Sequence, residues 1–137
     1  MNFRRVTQPA GSLLCLAAVC AMVTGETVGH VQEFCGHDDA GRALRVLDAA
    51  RYLNDRGWNL GGYVRGRWPV VANMLAILLR YRLGPAVVIV AARTGAGTHA
   101  VLWTSAEVFD PEPTNTGKRL RDYRILEWWP LIKIIEG

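Results

Sequence analysis

Apolar residues fall along this chain in two different rhythms. From Ser12 to Val23 they are almost continuous, which suits a helix buried on every side, with Ser12 as its N-cap and Gly25 as its stop. Glu26 to Phe34 has the length of a second short helix, and Gly36 to Gly41 reads as a loop. From Ala43 onward, Leu44, Leu47, Ala50 and Leu53 recur at helical spacing until Gly57, predicting an amphipathic helix. Trp58 to Val64 is glycine-rich and suits a short strand. Pro69 can open another helix over Val70 to Arg82, which Gly84 and Pro85 end.

The period then changes. Ala86 to Ala92 is a Val/Ile-rich run of the kind found in a central strand covered on both faces, and Thr94 to Gly97 is a turn. Thr98 to Trp103 and Glu107 to Phe109 predict two more strands, after which Pro111 and Pro113 break the sheet. Alternation from Tyr123 to Ile135 predicts a returning strand. Helices first and antiparallel strands second argue for an α+β fold, without internal repeats.

Composition narrows this further. A chain of 137 residues, 50% hydrophobic, supports one core, so residues 1–137 are expected to form a single domain. The net charge is +4 and the pI near 9.3, but the basic residues are scattered. Arg42, Arg45, Arg51 and Arg56 read as the solvated face of the amphipathic helix, and no aromatic-and-basic stripe accompanies them, so no specific nucleic-acid partner is expected. Three cysteines, Cys15, Cys20 and Cys35, cannot all pair within one chain, which suits a reducing compartment and a cytoplasmic protein.

Arg4 and Arg5 before the apolar run have the order of a secretory signal peptide, and Ala18 to Met22 offers small residues for cleavage. Gln8, Pro9 and Gly11 interrupt that order, and neither Leu14 nor Val19 gives a lipoprotein context, so a structural helix is the favoured assignment. The run is shorter than the roughly 20 apolar residues that span a bilayer, and no membrane partner is expected.

Within the predicted first helix, Cys15 occupies the first turn. Free backbone N–H groups and the positive end of the helix dipole favour a thiolate there, although a small buried apolar role is the simpler alternative. If Thr104 and Ser105 form a two-residue turn, Trp103 pairs with Ala106 and His99 lies opposite Asp110, within reach of an imidazole–carboxylate bond. An Asp beside a His fixes the tautomer and favours the charged ring, which helps the ring activate a thiol. Taken alone, the pair is equally well explained as a polar contact at the end of a sheet.

The segment Gln-Pro-Ala-Gly-Ser-Leu-Leu-Cys-Leu-Ala-Ala-Val-Cys-Ala-Met-Val-Thr-Gly, from Gln8 to Gly25, together with the later Thr-His-Ala-Val-Leu-Trp and Val-Phe-Asp-Pro, resembles the papain-like cysteine peptidases, most closely their C39-like bacterial and phage branch. That resemblance implies N-terminal helices, with the nucleophile helix packed on a C-terminal antiparallel sheet. It also implies Cys15 as nucleophile, His99 as base and then acid, Asp110 as the residue orienting it, and Gln8 as an oxyanion donor. Gln8 stands one residue farther from the cysteine than the usual pattern, and Leu16 replaces the common following Gly. The expected activity is acyl transfer on a peptide or protein substrate, with no cofactor. A thiol-dependent acyltransferase or deamidase would use the same groups, and a non-catalytic binding protein could keep the fold without the chemistry.

The remaining candidates carry less. His30, Cys35, His37, Asp38 and Asp39 match no zinc spacing and read as a polar loop, so no metal is expected. Gly95 and Gly97 precede a strand rather than a helix and read as a turn. Trp128 and Trp129 are neighbours on a strand and must face opposite ways, so at least one is expected in the core.

Overall fold

The computed structural model describes residues 3–61, 64–65, 84–92, 97–115 and 119–134. The apolar run near the N-terminus forms helix α1, Cys15–Thr24, buried from Leu16 to Val23 without interruption. That explains its lack of a polar face: α2 (Val28–Cys35) and α3 (Val46–Asp55) pack on it, and so does the sheet. Gly25 ends α1 in the left-handed conformation, its N–H returning to Ala21 O.

The start of α1 differs from expectation. Leu14, not Ser12, is the N-cap residue, and no side chain caps the helix; the Ser12 hydroxyl instead accepts from Leu14 N at 3.4 Å. Ser12 is drawn away because its N–H bonds Pro9 O and the next N–H, of Leu13, bonds Ala40 O, which holds this stretch as a non-helical turn. Cys15 is therefore the first helical residue.

Helix α2 is capped by Thr27, whose Oγ1 accepts from His30 N at 3.1 Å. In α3 the stripe is rotated from the expected one. Ala49, Tyr52 and Leu53 are buried whereas Leu47 is 64% exposed, because the helix begins at Val46 rather than Ala43 and presents Tyr52 to α1 and α2. Arg56 likewise leaves the solvated face assigned to it. Its guanidinium lies 4.0 Å from the Tyr52 ring centroid and 4.8 Å from that of Phe34, and it forms a close ion pair with Glu26. This pairing pulls Glu26 below the ordinary carboxylate range.

Among the described residues six antiparallel strands follow: β1 (Trp58–Leu60), β2 (Val64–Arg65), β3 (Ala86–Ala91), β4 (Thr98–Trp103), β5 (Val108–Phe109) and β6 (Ile125–Lys133). Their order is β1-β6-β3-β4-β5, with β2 also on β6. The long β6 pairs with β3 along one side, while Trp128 and Glu127 meet β2 and Leu131 to Lys133 meet β1 along the other. This α+β arrangement of helices on an antiparallel sheet is the expected class. The continuous apolar run of β3 has its predicted cause: Val87 and Ile89 join the core under the helices, while Ala86, Val88 and Val90 join a second cluster with Val101, Trp103 and Trp128. Trp128 and Trp129 divide as period two requires, Trp128 buried in the second cluster and Trp129 partly buried against the first. The helix expected over 70–82 and most of the turn expected over 94–97 lie outside the described residues. Among the described residues, no helix is long and apolar enough to cross a membrane.

Candidate functional site

The β4–β5 turn is displaced by one residue from the sequence expectation. Thr104 N bonds Glu107 O at 3.0 Å, so Ser105 and Ala106 are the two loop residues, and Ser105 takes the positive φ (86°) of a primed hairpin turn. The Thr104 hydroxyl stabilises this choice by accepting from both Ala106 N (3.3 Å) and Glu107 N (3.1 Å). Trp103 then pairs with Val108 and Leu102 with Phe109. His99 and Asp110 are consequently not opposed. Continuing this register puts Asp110 opposite Val101, diagonal to His99. A displacement of two residues in the pairing keeps both on one face, and a diagonal neighbour is within reach of long side chains.

The contact forms: His99 Nε2 lies 2.7 Å from Asp110 Oδ1. Asp110 is buried, its side chain 1% exposed, and the His99 side chain is 17% exposed. The carboxylate is fully engaged. Oδ1 also accepts from Glu112 N at 2.8 Å, and Oδ2 accepts from the Tyr123 hydroxyl at 2.6 Å and from Asn115 Nδ2 at 3.1 Å. Burial alone would raise the Asp110 pKa, but His99, then Tyr123 and the Glu112 N–H, hold it below the ordinary carboxylate value. Tyr123 is pushed far upward by burial and by the carboxylate it serves, so it remains a neutral donor.

Cys15 completes the cluster. Burial opposes charge on His99, yet hydrogen bonds with Asp110 and with the Cys15 side chain, and attraction to both, outweigh it and push the imidazole up to about 10. With Nε2 taken by Asp110, Nδ1 is the ring nitrogen left for the thiol. Cys15 is half-buried, and as the first residue of an uncapped helix its backbone N–H lacks an intrahelical acceptor. Of the other two thiols, burial, reinforced by Cys35, drives Cys20 far upward, and burial together with Asp48 raises Cys35 against the pull of Arg51 and Arg56.

Gln8, Cys15 and His99 line one cleft of about 590 Å³, whose wall also includes Leu13, Glu112 and Asn115. Gln8 is buried; its Nε2 donates to Ser12 O at 2.8 Å, which leaves its second amide hydrogen spare among the described residues, where its Oε1 also has no hydrogen-bond partner. The structure thus brings all four sequence-selected residues to one place.

Three contributors were not legible beforehand. Arg5, grouped by sequence with a leader-like charge, sends Nε to Asp110 O and Nη2 to Glu112 O, each at 2.8 Å, and Gln8 N bonds the intervening Pro111 O at 2.8 Å. Tyr123 and Asn115 reach Asp110 from beyond the hairpin at spacings that match no local motif. The His/Cys/Asp loop is tied up otherwise: His37 Nε2 lies 2.7 Å from Arg42 O, His30 pairs with Glu26 at 2.8 Å, and the Cys35 thiol approaches Asp48 O at 3.8 Å. Among the described residues no group of three or more such side chains converges for a metal.

By sequence the chain matches no protein-family model and no curated protein. By structure it resembles a double glycine motif protease from an AMS/PCAT transporter, crystallised in complex with a leader peptide. The TM-score is 0.59 over 96% of this chain and 92% of that one, at 15% identity. The likeness is one of fold, helices packed on an antiparallel sheet as in that protease. This chain's arrangement, a helix beginning at a cysteine and packed on an antiparallel sheet, is the one implied by the Gln8–Gly25 and Thr98–Trp103 segments.

Proposed function

We propose that this protein is a papain-like cysteine peptidase that cleaves a peptide or protein through a Cys15–His99–Asp110 triad. The observation carrying this reading is the cleft itself, where the first residue of α1 meets a histidine anchored from behind by a buried carboxylate. An imidazole pushed up to about 10, its hydrogen bonds with Asp110 and the Cys15 side chain outweighing burial, holds a proton beside the sulfur at neutral pH. The Cys15 sulfur attacks the peptide carbonyl carbon, and the Cys15 N–H with the spare Gln8 amide hydrogen receives the negative charge developing on oxygen. His99 gives its proton to the departing amine as the C–N bond breaks, leaving a thioester. His99 then takes a proton from water, whose oxygen attacks the thioester and releases the acid with the thiolate restored. A peptide substrate is supported by the leader peptide bound to the structurally similar protease.

Competitive labelling tests this. Iodoacetamide is expected to modify Cys15 far faster than Cys20 or Cys35, and His99→Ala is expected to suppress the Cys15 rate selectively. Equal labelling of the three thiols, indifferent to His99→Ala, overturns the proposal.

A further inference from the structure

The cleft is poor in charge although the chain is basic. Besides Cys15 and His99, Glu112 is the one ionisable residue among its described lining residues. Asp110, just beneath, offers nothing to a ligand, since its two oxygens already receive His99, Tyr123, Asn115 and Glu112 N. Glu112 is in the opposite position. Its backbone is pinned at both ends, N–H to Asp110 Oδ1 and carbonyl to Arg5 Nη2, each at 2.8 Å, so the root of its side chain is fixed. The carboxylate accepts only a long 3.4 Å bond from Thr114 Oγ1, and no cationic side chain pairs with it among the described residues. Residues 110 and 112 therefore divide one rigid turn, the first serving the imidazole and the second facing the cleft.

We infer that Glu112 is a specificity residue that receives a cationic side chain, lysine or arginine, of the peptide bound beside Cys15. This rests on the peptidase reading above. A half-exposed carboxylate attracts a cation across a few ångströms with a modest but selective gain, and it gives nothing to an uncharged isostere of the same length.

Arginine and citrulline have nearly the same shape and differ in charge. The probes are therefore acetyl-Arg-Gly and acetyl-citrulline-Gly chloromethyl ketones, and the same pair with the two residues in reversed order, with Cys15 alkylation followed by intact mass. The arginine probe is expected to react about fivefold faster than its citrulline partner in at least one placement, the ratio shrinking as salt is raised. Glu112→Gln is expected to bring the ratio to about one by slowing only the arginine probe. Equal rates for both pairs in the native protein, a ratio insensitive to salt, or a preference surviving Glu112→Gln overturns the inference and leaves the peptidase reading standing. Failure of every probe to alkylate Cys15 in folded protein overturns both.

Discussion

Replacing Arg5 with alanine removes the two charged donors that hold Asp110 O and Glu112 O, and leaves Gln8 N alone on Pro111 O. A hydrogen bond from a charged group contributes about 1.5–3 kcal/mol, and Arg5 is half-buried, so water recovers part of each bond in the variant. The lower end applies, giving a loss of about 2–3 kcal/mol for the two bonds together. Against a domain stability of about 5–15 kcal/mol this is a large fraction, readable as a lower urea midpoint with an unchanged slope. A merely structural staple would stop there. Because the same bonds position the turn carrying Asp110, the variant is also expected to lose about tenfold in the Cys15 alkylation rate, since small misplacements of a catalytic group are costly. The alkaline limb of its pH profile is expected to move to lower pH as Asp110 loosens its hold on His99. Arg5→Lys, which keeps the charge but can satisfy only one of two diverging acceptors well, is expected to fall between. An Arg5→Ala protein with the native urea midpoint refutes the structural claim; one that is destabilised yet alkylates at the native rate and pH refutes the positioning claim.

The pH dependence of stability follows from the pair itself. His99 is raised from 6.5 to about 10, so its contribution is fully present below pH 6.5 and is lost as pH climbs toward 10. Asp110 is lowered from 3.8, so its contribution is present above pH 3.8 and is lost as pH falls below that value. Thermal melts are expected to show a plateau between these limits, with an alkaline decline that His99→Gln removes; a decline of equal size in that variant contradicts the assignment. Asp110→Asn keeps one oxygen but turns an amide N–H₂ toward one of the two donor pairs, either His99 with Glu112 N or Tyr123 with Asn115, leaving buried donors unmatched. It is expected to cost about 2–4 kcal/mol in urea unfolding and to lower the His99 pKa measured by NMR titration, whereas an unchanged imidazole titration argues against the coupling.

How much was legible in the sequence depended on how local the determining forces were. The β4 boundaries came from β-branched and apolar content alone, and the burial of α1 from an apolar run with no polar face. Features set by partners distant in the chain did not show. The rotated stripe of α3 depends on Tyr52 fitting between α1 and Phe34, and Arg56 becomes an aromatic-stacked ion pair only once Glu26 is brought beside it. Arg5 meets the Asp110 turn across a separation of 105 residues, so no local window could assign it.

The His99–Asp110 pair shows how a side-chain contact can be anticipated from a wrong register. Sliding the turn from Thr104–Ser105 to Ser105–Ala106 changes the pairing by two residues, because each one-residue shift of a loop advances one strand and retracts the other. A strand alternates its faces with period two, so an even displacement preserves which side chains share a face and turns an opposed pair into a diagonal one. Asp110 tolerates the change because the chain leaves β5 at Phe109, freeing the carboxylate to approach the ring at 2.7 Å while Glu112, Asn115 and Tyr123 fill its other positions. The parity of the two positions, more than their exact opposition, was the transferable signal. An odd displacement would have put His99 and Asp110 on opposite faces of the sheet, and no local relaxation of the turn could have reunited them.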